Sequence, residues 1–449
     1  MPSPLTVELG RFVANLRYED IPAEARGYIA SGLTDCAGVM IAGSGEDAVR
    51  ILTATLSPPP GDATLTFGSS SAPALTAALI NGTAAHALDY DDVAQRGHPS
   101  AVLVPAILAE AQALGASGKD MLVAYAAGYE TWAELVGRDP DQHHEKGWHP
   151  TGIFGAIGAA AACASLRKLS ADKAAHAIAL GASQSAGIMA NFGTMAKPFH
   201  AGRSAQSGLL AARLAANGFT GSLDALEHRQ GFLSAVSPKG KVDFEKPVTA
   251  GRDWKVLKEK LAIKKYPLCY CTHRALDAAL DLVKASPIDA DKVTTVTVST
   301  SPHFMSILRN HLPQTALEGK FSMEFAMASA LVSGRAGLAQ LTDDFVTSAR
   351  VQGLMKRVQL RPDDREDPDM PGRAPYDMVI VEAGGKKFES AKVKHVRGGP
   401  ELPLQTDELW AKFEGCLQVS PRPFAARALF DALMNLDRIG HVKEIPGLH

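Results

Sequence analysis

Apolar and polar positions recur at helical spacing along most of the first 250 or so residues, the pattern of helices that each bury one face. It predicts a helix opening at Pro22-Ala23-Glu24 and running to about Ala42, and one over Ala74–Leu88 that Pro73 can start. Further helices are expected over Ala101–Leu114, Lys119–Leu135, Gly152–Leu166 and Ala171–Ala186. Another is expected over His200–Ala216, where Asn217-Gly218 makes a stop. The texture then changes. Lys292–Ser299 is β-branched and alternating and reads as a strand, and Arg357–Leu360 as a second. Asp377–Glu382 and Lys387–Val393 flank Gly384-Gly385 as a hairpin. Helices at Asp277–Lys284 and Glu324–Val332 lie among these strands, and two more follow Pro403, at Asp407–Cys416 and Pro421–Leu436. The charged, proline-rich stretch Arg361–Pro375 reads as a solvated connection. The chain is therefore expected to be mainly α, with a large all-helical domain (1–264 and 404–449) and a smaller α+β domain (265–403).

Composition narrows the functions open to such a chain. It has 449 residues, enough for more than one core, with 46% hydrophobic and 21% charged residues. Its many alanines and glycines let helices pack closely. A net charge of −2 leaves no electrostatic footprint for nucleic acid and no polybasic membrane signal. The longest apolar run, Gly152–Ala164, is too short and too rich in small residues to span a bilayer. Five scattered cysteines, with Glu8, Glu19 and Asp20 interrupting any targeting segment, point to reduced thiols and a cytoplasmic location. Cys269-x-Cys271 lacks zinc-site spacing, so no metal is expected there. There is no dinucleotide fingerprint, P-loop or Gly-x-Ser-x-Gly elbow, so no nucleotide cofactor and no serine hydrolysis is expected.

The candidate chemistry lies in four segments. His98-Pro99-Ser100 and His149-Pro150-Thr151 each run into an apolar helix. A hydroxyl residue there can cap the helix, a helix start attracts an anion, and a histidine moves protons near neutral pH. Ser100 and Thr151 are thus candidate substrate contacts. His86-Ala-Leu-Asp89-Tyr-Asp91-Asp92 precedes His98, and it reads as a solvated acidic loop, as an acid–base cluster in which an aspartate orients a histidine, or as a metal site. Lys197-Pro198-Phe199-His200-Ala-Gly-Arg203 would place three cations on one helix face, suited to a polycarboxylate, if Pro198 opens the helix; an exposed basic face is the alternative. Lys264-Lys265-Tyr266-Pro267, with Thr272-His273 after it, sits where the helical part hands over to the α+β part; Thr272 can cap the next helix. His143 and His144, in a polar stretch, read as surface.

In combination, these segments resemble the MmgE/PrpD family, which includes 2-methylcitrate dehydratase, cis-aconitate decarboxylase and iminodisuccinate epimerase. The resemblance rests on Asn81-Gly82 through Asp92, Gly97–Ser100, Gly147–Thr151, Lys197–Gly202, and Lys264–Pro267 with Thr272-His273, and covers nearly the whole chain. It implies an all-helical domain built from both chain ends with a smaller α+β lid inserted, a homodimer, an active site between the domains, and no cofactor, metal or iron–sulfur cluster. Carried over by position, Asp89, His98, His149, Lys197 and Lys264 are the catalytic residues. Substrate contacts are then expected from His200, Arg203, Tyr266, Thr151 and Ser100. The family's reactions share a carbanion next to a carboxylate, which cations and helix starts stabilise. Lys197 and Lys264 are assigned to the carboxylates, His98 and His149 to the proton, and Asp89 to orienting one histidine. Two positions depart from the family's lyases: Val93 and Phe325 stand where a threonine and a tyrosine are usual. The expectation is a dehydratase of a small di- or tricarboxylic acid. An epimerase of an amino- or imino-dicarboxylate, a decarboxylase of a cis-aconitate-like acid and a non-catalytic carboxylate-binding relative are the alternatives.

Overall fold

A computed structural model describes residues 4–370, 373–420 and 422–448. The chain divides into two compact units, one of residues up to Ile263 together with Gln405 onward, the other Lys264–Leu404. The fold is mainly α. Helices of nine residues or more are numbered here.

In the first unit these are α1 (Leu5–Asn15), α2 (Ala23–Gly43), α3 (Asp47–Leu56), α4 (Ala74–Ala87), α5 (Pro99–Leu114), α6 (Gly118–Val136), α7 (Pro150–Leu166), α8 (Ala171–Ala182) and α9 (Ala196–Ala216). A two-stranded ribbon, β1 (Ala63–Thr64) and β2 (Ser71–Ala72), which the hydrophobic pattern does not announce, lies between α3 and α4. The centre of the unit is α4, α5, α7 and α9, which pack on one another; α4, α5 and α7 are buried almost all round. Small residues make that possible. At the crossing of α4 and α9, a Cβ on Gly82 would come within 2.8 Å of the Gly202 Cα, and one on Gly202 would overlap the Leu79 carbonyl oxygen. That close approach brings the last turn of α4, with His86, towards the first turns of α9, with Lys197 and His200.

The second unit holds α10 (His273–Ala285) and α11 (Met323–Ser333) against a four-stranded sheet of β3 (Val293–Thr300), β4 (Val358–Pro362), β5 (Met378–Ala383) and β6 (Lys386–Glu389). The strand order is β4-β3-β5-β6, parallel between β3 and β4 and antiparallel elsewhere, with Val296 paired to Val358 and Val381. Val293, Val296, Val298, Val379 and Val381 point into its core. Two helices return the chain to the first unit, α12 (Thr406–Gln418) and α13 (Ala426–Met434). The expected start of the last helix at Pro421 lies outside the described residues, as do Pro371 and Gly372 of the charged loop. No helix among the described residues is long and apolar enough to cross a membrane.

Candidate active site

The two histidine–proline motifs begin helices, but two residues earlier than expected. His98 and His149 are themselves the N-caps, and Pro99 and Pro150 take the first helical position that proline favours. Ser100 and Thr151 therefore fall inside the first turn and cap nothing. Ser100 Oγ, fully buried, bonds the Asp92 carboxylate Oδ2 and lies 2.7 Å from the Tyr125 hydroxyl. Thr151 Oγ1 accepts the backbone N–H of His98 at 3.2 Å. The start of α5, where an anion was expected, is taken by the protein's own carboxyl group: Asp92 Oδ1 accepts the Ser100 N–H at 3.3 Å. Both hydroxyls, expected as substrate contacts, are engaged within the protein.

Beyond α4, Leu88 ends the helix and Asp89 takes a left-handed conformation (φ 50°), which aspartate tolerates better than most side chains. The turn throws the next residues back across the helix end. Asp91, fully buried, places its carboxylate 2.9 and 3.0 Å from His86 Nδ1 and 3.0 Å from His98 Nδ1. His98 Nδ1 also meets the Asp92 carbonyl at 2.9 Å. Every oxygen facing these two Nδ1 atoms is an acceptor, so both rings carry their proton there and turn Nε2 outward from the carboxylate. Burial opposes the charge on Asp91, but the two imidazoles outweigh it and hold the carboxyl well below its usual range. Burial, with Lys197 and His98 adding to it, pushes His86 down to about 3 against the pull of Asp91, so the ring is neutral at physiological pH. Its buried Nε2 has no hydrogen-bond partner among the described residues.

His149 lies alongside, its ring stacked on His86 with centroids 5.9 Å apart. Burial first, then Lys197 and the neighbouring histidines, hold it well below the usual histidine range. Its Nδ1 is 3.1 Å from His200 Nδ1, and its buried Nε2 has no hydrogen-bond partner among the described residues. Lys197, 4% exposed, forms an ion pair with Asp89 and lies 5.4 Å above the Phe192 ring, whose edge meets His149. The carboxylate that orients histidines is thus Asp91, whereas Asp89 pairs with a lysine.

Arg203 does not join this group. It is exposed and bonds Gln206. Pro198 sits third in α9 rather than first, and a three-residue step falls about 60° short of a full turn, so two steps carry Arg203 about 120° away from Lys197. In the second unit Lys264 is buried and the Tyr266 hydroxyl donates to Asp277 Oδ1 at 2.7 Å, so that oxygen is already engaged. Thr272 precedes α10 as expected, yet its hydroxyl bonds the Cys269 carbonyl at 2.9 Å instead of capping the helix. Val93 spends its backbone on a bridge to Ala262, and Phe325 is core. His143, read as surface, is buried edge-on against Phe154 at 4.8 Å. His86 belongs to the candidate acid–base cluster of the sequence, but the family likeness assigns it no role. The signal for it was its place five residues before Asp91, across a helix end.

His86, Asp89, Asp91 and His98 also bring one donor atom each within 4.8 Å of one another, the ligand types of a metal centre. Here a lysine ammonium already sits on Asp89 and imidazole N–H groups on Asp91, so protons and a protein cation supply the balancing charge.

Fold and site thus define a mainly helical protein with a buried cluster of histidines, aspartates and a lysine joined by hydrogen bonds and an ion pair. The matching family models are the MmgE/PrpD N-terminal domain, over residues 7–245, and the MmgE/PrpD C-terminal domain, over 266–435. The chain belongs to the MmgE/PrpD family. It is similar to cis-aconitate decarboxylase of Homo sapiens, 29% identical over 64% of this chain and 61% of that protein. The match thus spans about three fifths of the human relative's length. It is also similar to cis-aconitate decarboxylase of Aspergillus terreus, 24% identical over 97% of this chain and 94% of the relative. The cis-aconitate decarboxylase-like protein oryM of Aspergillus oryzae is 26% identical over 99% and 97%.

Proposed function

We propose that the protein is a lyase acting on a small di- or tricarboxylic acid, by protein-held acid–base chemistry at the carbon next to a carboxylate. The observation that carries this reading is the pair of buried imidazoles, His86 and His149, each held at Nδ1 and each with an unbonded Nε2. A neutral imidazole with one nitrogen fixed presents the other as a proton carrier of defined character. Lys197 supplies positive charge beside it, which favours the transient carbanion once a substrate carboxylate lies there. Lys264 is assigned a second carboxylate by motif likeness alone.

Decarboxylation of a cis-aconitate-like acid stands first, because the curated relatives carry that activity in their names. Dehydration of a 2-methylcitrate-like acid, the expectation from sequence, and epimerisation use the same carbanion. The homodimer and the cytoplasmic location belong to this proposal too. The test is a proton NMR time course in deuterium oxide with cis-aconitate, 2-methylcitrate, citrate and iminodisuccinate. A product with one carboxylate fewer establishes the decarboxylase, a new vinyl signal with all carboxylates kept the dehydratase, and deuterium exchange alone the epimerase. Silence across the panel defeats the reading.

A further inference from the structure

His200 is a half-buried ring on the second turn of α9, and its Nδ1 lies 3.1 Å from the Nδ1 of His149. A neutral imidazole has one N–H, so such a contact holds a single proton between two nitrogens. If His149 carries it, His149 Nε2 is a bare lone pair and a base. If His200 carries it, His149 Nε2 bears hydrogen and is an acid. The contact is built into the backbone. Gly187, at φ 122°, accepts the His149 N–H at 3.0 Å, and a Cβ on it would stand 3.2 Å from His200 Cγ and Nδ1. The absence of a side chain at Gly187 is what lets the two rings meet.

We infer that His200 is the charge-carrying partner of His149: when Nε2 of His149 takes up a proton, the Nδ1 proton of His149 crosses to Nδ1 of His200. The balance is simple. The proton arriving at Nε2 makes one N–H bond, the Nδ1–H bond of His149 breaks, and a new Nδ1–H bond forms on His200. His149 stays neutral throughout, and the half-exposed His200 becomes the imidazolium. Delivery of a proton from His149 runs the same steps backwards. The environments favour this division. His149 is buried and faces Lys197 of α9, His86 of α4 and His98 at the start of α5. His200 is nearer solvent; its partial burial first, and then Lys197, lower it from the usual histidine range. The inference rests on the proposed role of His149 and makes His200 a positioning residue rather than the substrate contact expected from sequence.

Nitrogen-15 NMR of the full chain labelled at histidine tests it without substrate. On acidification, wild-type His200 should become the imidazolium while His149 changes from the Nδ1–H to the Nε2–H tautomer at the same pH. His200→Gln still offers a hydrogen bond to His149 but cannot carry the proton, so His149 should keep one tautomer through that range. Gly187→Ala, which crowds His200 and leaves both histidines in place, should uncouple the rings likewise. A wild-type His149 that itself becomes imidazolium, or one that switches equally in His200→Gln, overturns the inference. With cis-aconitate as the probe, His200→Gln should lower kcat by about a hundredfold and leave KM within about twofold. A packing role would be satisfied by glutamine, so a wild-type kcat in that variant also overturns it. A wild-type protein silent on the acid counts against the proposed function, and the NMR result then decides the histidine pair.

Discussion

Asp91 is the residue on which the site's geometry turns, since its one carboxylate fixes both His86 and His98. Asp91→Asn would offer an amide group to one ring and break the matched tautomers, so kcat should fall by about a hundredfold or more, with the circular dichroism spectrum unchanged. A different behaviour is expected one residue on. Burial, with Asp35 and Asp91 nearby, pushes Asp92 up to about 8 despite its bonds to Ser100. A carboxyl raised above its unfolded value stabilises the fold while protonated, and that stability is lost as pH rises through the folded value. Urea midpoints should therefore fall progressively from about pH 4 to about pH 8 in wild type, level off above that, and change much less in Asp92→Asn. The histidines in the two His-Pro motifs, Lys197 and Asp89 were legible because each sits in a short motif with its own chemistry. His86 and Asp91 were not, because their partnership depends on the left-handed turn at Asp89, which hydrophobic periodicity does not encode. The hydroxyls misled for a definite reason: proline outcompetes other residues for the first helical position and shifts the cap back to the histidine.

At the scale of elements, the long amphipathic and apolar segments became helices close to where their pattern placed them. The misses are at ends. α9 starts at Ala196, four residues ahead of its expected start at His200, and α8 stops at Ala182, four residues before Ala186. Periodicity fades where a terminal turn is bound by tertiary contacts. The contact of α4 with α9 is where element packing and site coincide. Gly202→Ala would put a methyl group against the Leu79 carbonyl and should cost about 1–3 kcal/mol in urea unfolding. Because Lys197 and His200 ride on the same helix, it should also lower turnover, unlike Gly218→Ala beyond the helix end, where a Cβ meets nothing within 4 Å but φ is 92° and only local strain is expected.

For the whole molecule, the notable feature is that both ends of the chain build one unit. Lys412 of α12, 9% exposed, meets Asp35 of α2 at 2.7 Å and donates to the Tyr90 carbonyl at 2.8 Å, directly beside the aspartate-rich turn. Lys412→Met leaves Asp35 buried without its cation and should destabilise that unit by about 3–5 kcal/mol. The double variant with Asp35→Asn should recover much of the loss, as measured by denaturant midpoint. The change from helical to alternating pattern near residue 290 made a second, α+β unit legible. The parallel pairing of β3 with β4 was not, since 57 or so residues of chain separate strands whose own sequences carry no mark of partner or direction.

The central claim is that the site moves a proton at a substrate carbon with groups of the protein alone. The most direct measurement is the deuterium content of the product after chelator-treated protein turns over cis-aconitate in deuterium oxide. The account predicts a dicarboxylate product carrying one deuterium at the carbon protonated by the enzyme, formed by wild type and not by His149→Ala. Product that forms equally in His149→Ala, or that requires a restored metal ion, would contradict it.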